Sequence, residues 1–486
     1  ADEFKLPHFT NVITSPKFSD DQTIFLSAFS GLFKSTDGGF NWQEMVTLPA
    51  NILTGIGISP NYDKDATAAI GTYIGGGFIS KDGGLNWQPL LQKMKNLPPE
   101  ISSRLYAVIF SPNYSQDRTI FATTWQHFLR SGDDGKNWKA IPLTKRKFWI
   151  FQGELSKKPV VAISSNFAKD KTIYLGTEQG DIFLSTDGGK SFSNINSVPL
   201  EINSLAISSN FLNDKTLYLG SLNGAYNSVD GGNNWQAVNR GLPQLKKQQT
   251  KIVISPDFPR DRTLFAGTAV GLFKTHDAGE TWLQLTKNPQ IKGNYIEAIA
   301  ISPNYAQDHT LIASVRGKGL FKTTDGGNSF TAIGKKLIDN NYLLSHMRDF
   351  QVAANPLEFS PTYANDRTIY GFSANKLFKS EDGGDNWQLI VTPANIPTPK
   401  DTTYVLPASV QSEAQPTKKS PIITFFISPF GRLTVASLAG LLSYILAGYF
   451  NLDKRLNWNK QTIKLGSAVA GFIVVFLVCW GLAIFV

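Results

Sequence analysis

Eight aspartates recur along the chain in one eight-residue pattern, Ser/Thr-x-Asp-x-Gly-x-x-Trp/Phe, called the box below. They are Asp37, Asp82, Asp133, Asp187, Asp230, Asp277, Asp325 and Asp382. Eight carboxylates gathered in one place could form a ligand-binding ring. In the structural alternative, each carboxylate accepts N–H groups of a turn, the Ser/Thr hydroxyl bridges it, and glycine supplies a positive φ. We favour the structural role, because Phe192, Phe330 and Ala278 replace the usual Trp or Gly while the rest of each box is kept.

A second motif precedes every box, and residues 111–121 (SPNYSQDRTIF) are its clearest copy. It contains an Asp-x-Thr element, such as Asp117/Thr119 and Asp366/Thr368. We expect the same structural role for this element and for the arginines inside it, Arg118, Arg262 and Arg367.

The segments between these motifs are short apolar runs rich in β-branched and aromatic residues. In one repeat they are residues 299–302, 310–314, 319–323 and 330–333, with Gly, Asp and Asn between them. Four such runs predict four antiparallel strands, with the box between strands three and four. Eight repeats at a fairly regular period predict an all-β fold, an eight-bladed β-propeller of four-stranded antiparallel blades, over residues 1–391.

The boxes resemble the Asp box, or bacterial neuraminidase repeat. It occurs in sialidases, sortilin-type receptors, xyloglucan hydrolases and the photosystem II assembly-factor propellers. The resemblance covers most of the chain before the proline-rich segment and implies the propeller fold. It leaves the activity open, because these families share the turn and not the active site. The chain also departs from them: the assembly-factor propellers are usually single domains, commonly of seven blades, and sortilin-like propellers are larger and precede cysteine-rich modules.

The C-terminal part of the chain predicts a membrane anchor. Residues 392–421 are rich in proline and indicate an extended linker. Two predicted transmembrane helices follow, 422–450 and 465–486, and they contain the uncharged stretches 433–450 and 465–486. At 1.5 Å per residue the second stretch is about 33 Å long, enough to cross a hydrocarbon core of about 30 Å. The propeller is therefore expected to be followed by a transmembrane helical hairpin.

The loop between the two predicted helices, 451–464, sets the expected topology. It carries four basic residues against Asp453, namely Lys454, Arg455, Lys460 and Lys464, so the positive-inside rule places it in the cytoplasm. The propeller then lies on the extracytoplasmic side, which is periplasmic, lumenal or outer. The chain begins at Ala1, as a signal-peptidase product would, although removal of an initiator Met would also expose an Ala. The lone Cys479 gives no information on the compartment.

Blade geometry divides the connections between two faces. The boxes and the SPNY-type motifs share the box face; the loops between strands two and three and the connections between blades share the opposite, variable face. Binding residues favour variable loops on a rigid scaffold. The candidate interaction residues are Trp125, His127, Arg146, Lys147, Phe148, Trp149, Phe151, Lys246, Lys247, Tyr342, His346 and Arg348. Residues 145–151 (KRKFWIF) either pack under a blade or form an aromatic anchor with a basic rim, suited to a protein or to a membrane surface.

The sequence gives little support for catalysis. Sialidase resemblance would imply three arginines gripping a carboxylate, and only Arg104, Arg146 and Arg348 remain as loop candidates. No carboxylates are paired as in glycosidases, and the histidines (His8, His127, His276, His309 and His346) lack metal-ligand spacing. We therefore expect no catalytic residue, cofactor or metal. The net charge of +9 is too dispersed to indicate nucleic acid.

The sequence thus favours a membrane-anchored, extracytoplasmic interaction scaffold. We expect an accessory or assembly subunit of a multi-subunit membrane complex, photosynthetic or respiratory, and not an enzyme. Its expected partners are an integral membrane protein complex, contacted through the helices and the variable-face loops, and the lipid bilayer. The alternative is a cell-surface carbohydrate-binding protein or a sialidase-like glycoside hydrolase, with Trp125 and Trp149 as its first candidate sugar contacts.

Overall fold

The computed structural model describes twelve segments of the chain: 9–28, 31–47, 53–72, 76–91, 105–124, 126–143, 159–199, 201–243, 249–285, 287–333, 357–373 and 376–391. All of them belong to one compact unit, Ala1–Leu406. Within them the chain forms eight antiparallel sheets of four strands each. The predicted eight-bladed all-β propeller is confirmed.

Each blade consists of four strands that are consecutive in sequence and neighbours in the sheet. The strands of blades 1 to 4 are β1 (Phe9–Thr14), β2 (Ile24–Ala28), β3 (Gly31–Ser35), β4 (Gln43–Thr47), β5 (Leu53–Ile58), β6 (Ala68–Thr72), β7 (Gly77–Ser80), β8 (Gln88–Pro89), β9 (Ala107–Phe110), β10 (Ile120–Thr123), β11 (His127–Ser131), β12 (Lys139–Pro142), β13 (Val160–Ile163), β14 (Ile173–Gly176), β15 (Asp181–Ser185) and β16 (Ser193–Ser197).

Blades 5 to 8 repeat the same order. Their strands are β17 (Ile202–Ile207), β18 (Leu217–Ser221), β19 (Gly224–Ser228), β20 (Gln236–Ala237), β21 (Lys251–Ile254), β22 (Leu264–Thr268), β23 (Gly271–Thr275), β24 (Leu283–Gln284), β25 (Ile296–Ile301), β26 (Leu311–Val315), β27 (Gly319–Thr323), β28 (Thr331–Ile333), β29 (Leu357–Phe359), β30 (Ile369–Ser373), β31 (Lys376–Ser380) and β32 (Gln388–Val391).

The motif before each box contains a one-turn helix, where the sequence predicted only a turn. The helices are Phe18–Asp21, Tyr62–Asp65, Tyr114–Asp117, Phe167–Asp170, Phe211–Asp214, Phe258–Asp261, Tyr305–Asp308 and Tyr363–Asp366. In the first, Asp21 accepts hydrogen bonds from the Ser15 hydroxyl (2.6 Å) and the Thr23 amide (2.8 Å). The next residue, Gln22, has φ +48°, a left-handed conformation that ends the helix.

The strand order places the connections as the sequence predicted. Strand one leads into the helical motif and strand three into the box, so both connections lie on one face of the ring. Strand two ends, and strand four leaves the blade, on the variable face. The faces therefore differ in character: one carries a repeated hydrogen-bonded turn and the other carries connections of unequal length.

The hydrophobic core lies in the seams between blades. One cluster joins Phe25 and Leu32 of blade 1 to Ile56 and Ile70 of blade 2, and similar clusters fill the other seams. Another cluster contains Phe9 together with Tyr370, Leu377 and Ile390 of blade 8, so the first and last blades pack together. Because every blade is complete in sequence, the ring closes through side-chain packing and not through exchange of a strand.

The first strands of neighbouring blades contact one another around the axis. Their approach is close: a Cβ added at Gly57 would lie 2.5 Å from the carbonyl oxygen of Val108 in the next blade. At the next-to-last position of the first strand, two residues before the serine of the SPNY-type motif, blades 1 to 7 have no polar side chain; the residues are Ile13, Gly57, Ile109, Ala162, Ala206, Val253 and Ala300. Blade 8 instead has Glu358, whose burial raises the pKa of its carboxyl to about 8.

A search of the described segments for a membrane-spanning helix finds none. The predicted linker (392–421), transmembrane helices (422–450 and 465–486) and basic loop (451–464) all lie outside the described residues. The transmembrane hairpin and its topology therefore stay predictions.

Replacing Glu358 with Gln is expected to flatten the pH dependence of stability. The unfolded carboxyl releases its proton near pH 4.5 and the folded one near pH 8, so the free energy of unfolding of the wild type falls as pH rises between these values. The slope is at most about 1.4 kcal/mol per pH unit. Denaturant unfolding of the full chain at a series of pH values measures it.

Glu280→Gln provides the control, because Glu280 is an exposed acid on the box face. It should leave the slope between pH 4.5 and pH 8 unchanged. Equal slopes for the wild type and Glu358→Gln would contradict the burial of an ionisable carboxyl on this strand.

Candidate functional site

The box carboxylates are bound within their own turns. In the first box, Asp37 Oδ1 accepts hydrogen bonds from the Ser35 hydroxyl (2.7 Å), the Phe40 amide (3.0 Å) and the Asn41 amide (2.9 Å). Asp37 Oδ2 accepts a further bond from the side-chain amide of Asn41 (2.6 Å). These contacts occupy both oxygens of the carboxylate and leave little capacity for an external ligand.

The same arrangement recurs in the other seven boxes, where the seventh residue supplies the second side-chain donor. These donors are Asn86, Asn137, Ser191, Asn234, Thr281, Ser329 and Asn386. At Asp187 burial opposes ionisation, yet the hydrogen bonds from Ser191 and Ser185 outweigh it and lower the pKa to about 2. The contacts support a structural role for the eight aspartates.

Most boxes also accept a hydrogen bond from the preceding blade. The acceptor is the backbone carbonyl of the residue after the box aspartate. The donor is a side chain of the preceding blade, at one of two positions that lie opposite each other on its strands two and three. A tyrosine of strand two donates in three seams: Tyr174 to Gly231 (2.6 Å), Tyr218 to Ala278 (2.7 Å) and Tyr370 to Gly38 (3.0 Å). A cation of strand three donates in three others: Lys34 to Gly83 (3.0 Å), Arg130 to Gly188 (2.9 Å) and Lys274 to Gly326 (2.6 Å).

The two kinds of donor occupy paired positions in the sheet. In blade 4, Tyr174 on strand two lies opposite Leu184 on strand three, and the tyrosine hydroxyl is the donor. In blade 6, Phe265 on strand two has no hydroxyl, and Lys274 opposite it on strand three is the donor instead. Burial lowers the pKa of Lys274, and the carboxylates of Asp261 and Asp325 oppose that effect. The repeated bond therefore depends on the pair and not on one fixed residue type.

Two seams depart from this rule. Between blades 7 and 8, Lys322 donates to the side chain of Asp385 (2.5 Å). Between blades 2 and 3, the paired residues are Ala69 and Ile79, and the described residues show no donor to the box carbonyl. The third box has Asp134 in place of glycine, and its carboxylate accepts hydrogen bonds from Tyr114 and Lys81.

Most of the sequence-predicted interaction residues lie outside the described residues. His127 is the exception; it is the first residue of β11 and is half-buried on the variable face. The loop arginines considered for carboxylate binding, Arg104, Arg146 and Arg348, are outside the described residues as well. Arg118, Arg262 and Arg367 end the one-turn helices with φ of 49°, 53° and 53°, which agrees with a structural role.

The described part of the variable face contains a polar cluster at the seam between blades 6 and 7, called the seam cluster below. Glu297 of β25 pairs with Arg316, whose Nε lies 2.8 Å from Glu297 Oε1. The guanidinium of Arg316 stacks on the ring of Tyr295, 3.9 Å from its centroid. Tyr295 donates its hydroxyl proton to Gln249 Oε1 (2.8 Å), and Lys251 Nζ donates to the backbone oxygen of Glu297.

Among the residues that the structure describes, the seam cluster contains two basic side chains, Lys251 and Arg316, and one acidic side chain, that of Glu297. Burial lowers the pKa of Lys251, the carboxylate of Glu297 raises it, and the charge of Arg316 lowers it further. Arg316 remains about half exposed, so part of its hydrogen-bonding edge faces solvent. The arrangement is suited to binding an anionic or carbonyl-bearing group of a partner.

The seam cluster was not predicted from the sequence, although one residue type was unusual at its position. Lys251 lies on the first strand of blade 6. The residues at the same position in blades 1 to 5 and in blade 7 are Asn11, Gly55, Ala107, Val160, Ser204 and Ala298. A lysine among mostly small side chains, at a position that faces the next blade, is unusual. Within the described segments, no three His, Cys, Asp or Glu residues are placed to hold a metal ion.

Comparison with known proteins gives one family match. Residues 192–355, about a third of the chain, match the sequence model of the family described as Photosynthesis system II assembly factor YCF48. This segment contains the whole seam cluster. The comparison with curated proteins returns no match.

Several solved structures are similar at low identity. YCF48 from Cyanidioschyzon merolae is 17% identical with a TM-score of 0.39, over 72% of this chain and 98% of that chain. A structure of YCF48 bound to D1 peptide is 15% identical with a TM-score of 0.41, over 65% and 92%. The GH74 xyloglucanase from Xanthomonas campestris is 14% identical with a TM-score of 0.46, over 80% of this chain; the match spans 55% of the xyloglucanase. Similarity at this level carries no information about activity.

Removing one inter-blade donor is expected to weaken the ring, and supplying the other kind of donor should restore it. Tyr174→Phe leaves the Gly231 carbonyl without its hydroxyl donor and should lower the free energy of unfolding by about 1 kcal/mol. Leu184→Lys in that background places a cation at the paired position, as in blade 6, and should recover part of the loss. Denaturant unfolding of the wild type, the two single variants and the double variant forms a double-mutant cycle.

Leu184→Lys alone serves as the control, because in that variant Tyr174 still donates a hydrogen bond to the Gly231 carbonyl. It should give no gain in stability. The same stability change from Leu184→Lys in both backgrounds would contradict the exchange of one donor for the other.

Proposed function

We propose that this chain is a membrane-anchored, non-enzymatic propeller that binds a polypeptide of a multi-subunit membrane complex as an accessory or assembly subunit. The observation that carries the proposal is the coincidence of two features in one segment. Residues 192–355 match the photosystem II assembly-factor family, and the same segment contains the seam cluster. Photosystem II is therefore the first complex to test.

The seam cluster has the properties of a polypeptide-binding site. Stacking on Tyr295 and pairing with Glu297 hold the Arg316 guanidinium in one orientation, so little side-chain entropy is lost when a ligand binds. Its remaining N–H groups can donate to a carboxylate or to main-chain carbonyls. Arginine and tyrosine are also enriched among the residues that dominate binding energy at interfaces.

The geometry of the boxes makes their own carboxylates unsuited to hydrolysis. A glycosidase needs two carboxyl groups free to act on substrate, one as an acid and one as a base or nucleophile. The described box carboxylates are bound by their own turns, and hydrogen bonds lower the pKa of several to about 2, including Asp325 and Asp382. Such groups are held ionised and are unsuited to protonating a leaving group.

The proposal includes the predicted topology. The propeller lies on the extracytoplasmic side, residues 392–421 link it to two membrane-spanning helices, 422–450 and 465–486, and the loop 451–464 lies in the cytoplasm. The uncharged stretches 433–450 and 465–486 and the basic loop between them support this part.

Peptide binding by the full chain tests the proposal. A fluorescent D1 peptide, the ligand named for one YCF48 structure, is titrated with the detergent-solubilised protein and followed by anisotropy. We expect saturable binding, weakened about tenfold or more by Arg316→Ala, because a hydrogen bond to a charged group contributes about 1.5–3 kcal/mol.

Arg260→Ala is the matched control. Arg260 also pairs with a carboxylate through Nε, that of Asp257 at 2.6 Å, but it lies on the box face. It should leave the affinity unchanged. If the wild type does not bind the D1 peptide, the proposed ligand is wrong. If Arg316→Ala and Arg260→Ala lower the peptide affinity equally, the seam cluster is not the binding site.

A further inference from the structure

The box face is described in all eight seams, because both motifs of every blade lie within the described segments. In six seams the contact between blades has two parts. One is the hydrogen bond to the box carbonyl, and the other is an edge-to-face pair of aromatic rings. In each pair, the aromatic residue that begins the one-turn helix packs against an aromatic residue on strand two of the preceding blade. The six pairs, with ring centroids 5.5 to 6.0 Å apart, are Phe25 with Tyr62, Phe121 with Phe167, Tyr174 with Phe211, Tyr218 with Phe258, Phe265 with Tyr305, and Tyr370 with Phe18.

The seams between blades 2 and 3 and between blades 7 and 8 show neither part within the described segments. Strand two has Ala69 in blade 2 and Ile312 in blade 7, where the other blades have an aromatic residue. The helix tyrosines of blades 3 and 8 instead pack edge-on within their own blades. These pairs are Tyr114 with Phe110 and Tyr363 with Phe359, with centroids 4.7 Å and 4.8 Å apart. The aromatic contact that joins the blades of a regular seam is therefore kept inside one blade here.

Ion pairs connect the blades of these two seams on the box face. They are Lys81 with Asp134, Lys322 with Asp385, and Arg367 with Asp308. Each pair has a member that is more than a third exposed, such as Lys81 at 47% and Asp385 at 64%. Exposed ion pairs contribute little to stability, and salt screens them. An edge-to-face aromatic pair stabilises without opposite charges and is not screened in this way.

The inner end of the seam between blades 2 and 3 has close contacts that involve no ion pair. The Thr54 hydroxyl of blade 2 donates a hydrogen bond to the backbone oxygen of Leu105. Gly57 lies so near blade 3 that an added Cβ would be 2.5 Å from the carbonyl oxygen of Val108. Loss of the contacts on the box face therefore lets the two blades rotate about their first strands without separating.

The seam between blades 8 and 1, where the first and last blades meet, is of the regular kind and has an additional contact. Tyr370 donates to the Gly38 carbonyl and packs against Phe18. Lys379 Nζ also lies 5.0 Å from the ring centroid of Phe40 in blade 1, a distance at which a cation is attracted to an aromatic ring. Blades 8, 1 and 2 are thus joined by regular seams, as are blades 3 to 7.

We infer that the propeller consists of two rigid arcs, blades 3 to 7 and blades 8, 1 and 2, joined by two salt-sensitive hinges that open on the box face. One hinge is the seam between blades 2 and 3, and the other is the seam between blades 7 and 8. The inference goes beyond the proposed function. The seam cluster lies between blades 6 and 7, inside the five-blade arc, and its geometry is kept when the hinges open.

Two neighbouring alanines on β6 test the first hinge. Ala68 and Ala69 are both fully buried, but Ala68 packs between blades 1 and 2, whereas Ala69 packs between blades 2 and 3. Each is changed to Cys in the detergent-solubilised full chain carrying Cys479→Ser, and the rate of reaction with a neutral aromatic disulfide reports how often the thiol becomes accessible. Raising the salt from about 0.01 M to about 1 M shortens the screening length from about 30 Å to about 3 Å. We expect the reaction to become about two- to fivefold faster at Ala69→Cys and to stay unchanged at Ala68→Cys.

Removing one charge should have the same effect as adding salt. Lys81→Met keeps most of the side-chain stem and removes its charge, so it should speed the reaction of Ala69→Cys at low salt about two- to fivefold and abolish the salt response. Lys64→Met is the matched control, because Lys64 is another exposed lysine on the box face of blade 2. It should leave both the rate and the salt response unchanged.

Leu311 and Ile312 of β26 give the same comparison at the second hinge. Both are fully buried; Leu311 packs between blades 6 and 7, and Ile312 packs between blades 7 and 8. Asp385→Asn removes the charge that Lys322 contacts there. The same salt response at both neighbours of a pair, or no response at Ala69→Cys and Ile312→Cys, would overturn the inference. The thiol reaction is measured without peptide, so absence of the hinges and failure of peptide binding give different results.

Discussion

The hydrogen bond from one blade to the box of the next is the constraint that, together with apolar packing, aligns the blades in six of the eight seams of the described propeller. The boxes hold their turns rigid, because each aspartate carboxylate gathers amides and a hydroxyl of its own turn. That rigidity presents one backbone carbonyl at a fixed place, and a tyrosine or cation of the preceding blade reaches it. The closing bond, from Tyr370 to Gly38, spans 332 residues of sequence. It has the same form as the bonds between consecutive blades, so closure needs no special device.

This construction separates stability from function by face. The box face is occupied by repeated contacts whose donors and acceptors satisfy one another, which leaves it little capacity for a ligand. The variable face carries connections that no such rule constrains. There the seam between blades 6 and 7 concentrates charge, with Lys251 and Arg316 around Glu297.

The fold was predictable from the sequence because its repeats are local. Each blade forms from one continuous stretch of chain, and the box, the helical motif and four apolar runs recur in one order. The one-turn helices were missed, since a single turn is too short to show a helical period. The seam cluster was missed for another reason. Gln249 and Lys251 of blade 6 meet Tyr295 and Glu297 of blade 7 only across a seam, and no spacing in the sequence marks such a contact.

The sequence by itself determined the blade, its count and the assignment of motifs to faces, because hydrophobic period and turn chemistry act within one repeat. It also carried the signal of the predicted membrane anchor in residues 422–486. Only the tertiary structure decided which donor binds which box, and that Lys251 and Arg316 both contact Glu297, one at its backbone oxygen and the other at its carboxylate. The physical reason is that a backbone carbonyl accepts a hydrogen bond whatever its residue type. The sequence therefore does not show which donor a box carbonyl accepts from. That donor is identified only in the structure, where neighbouring blades pack together.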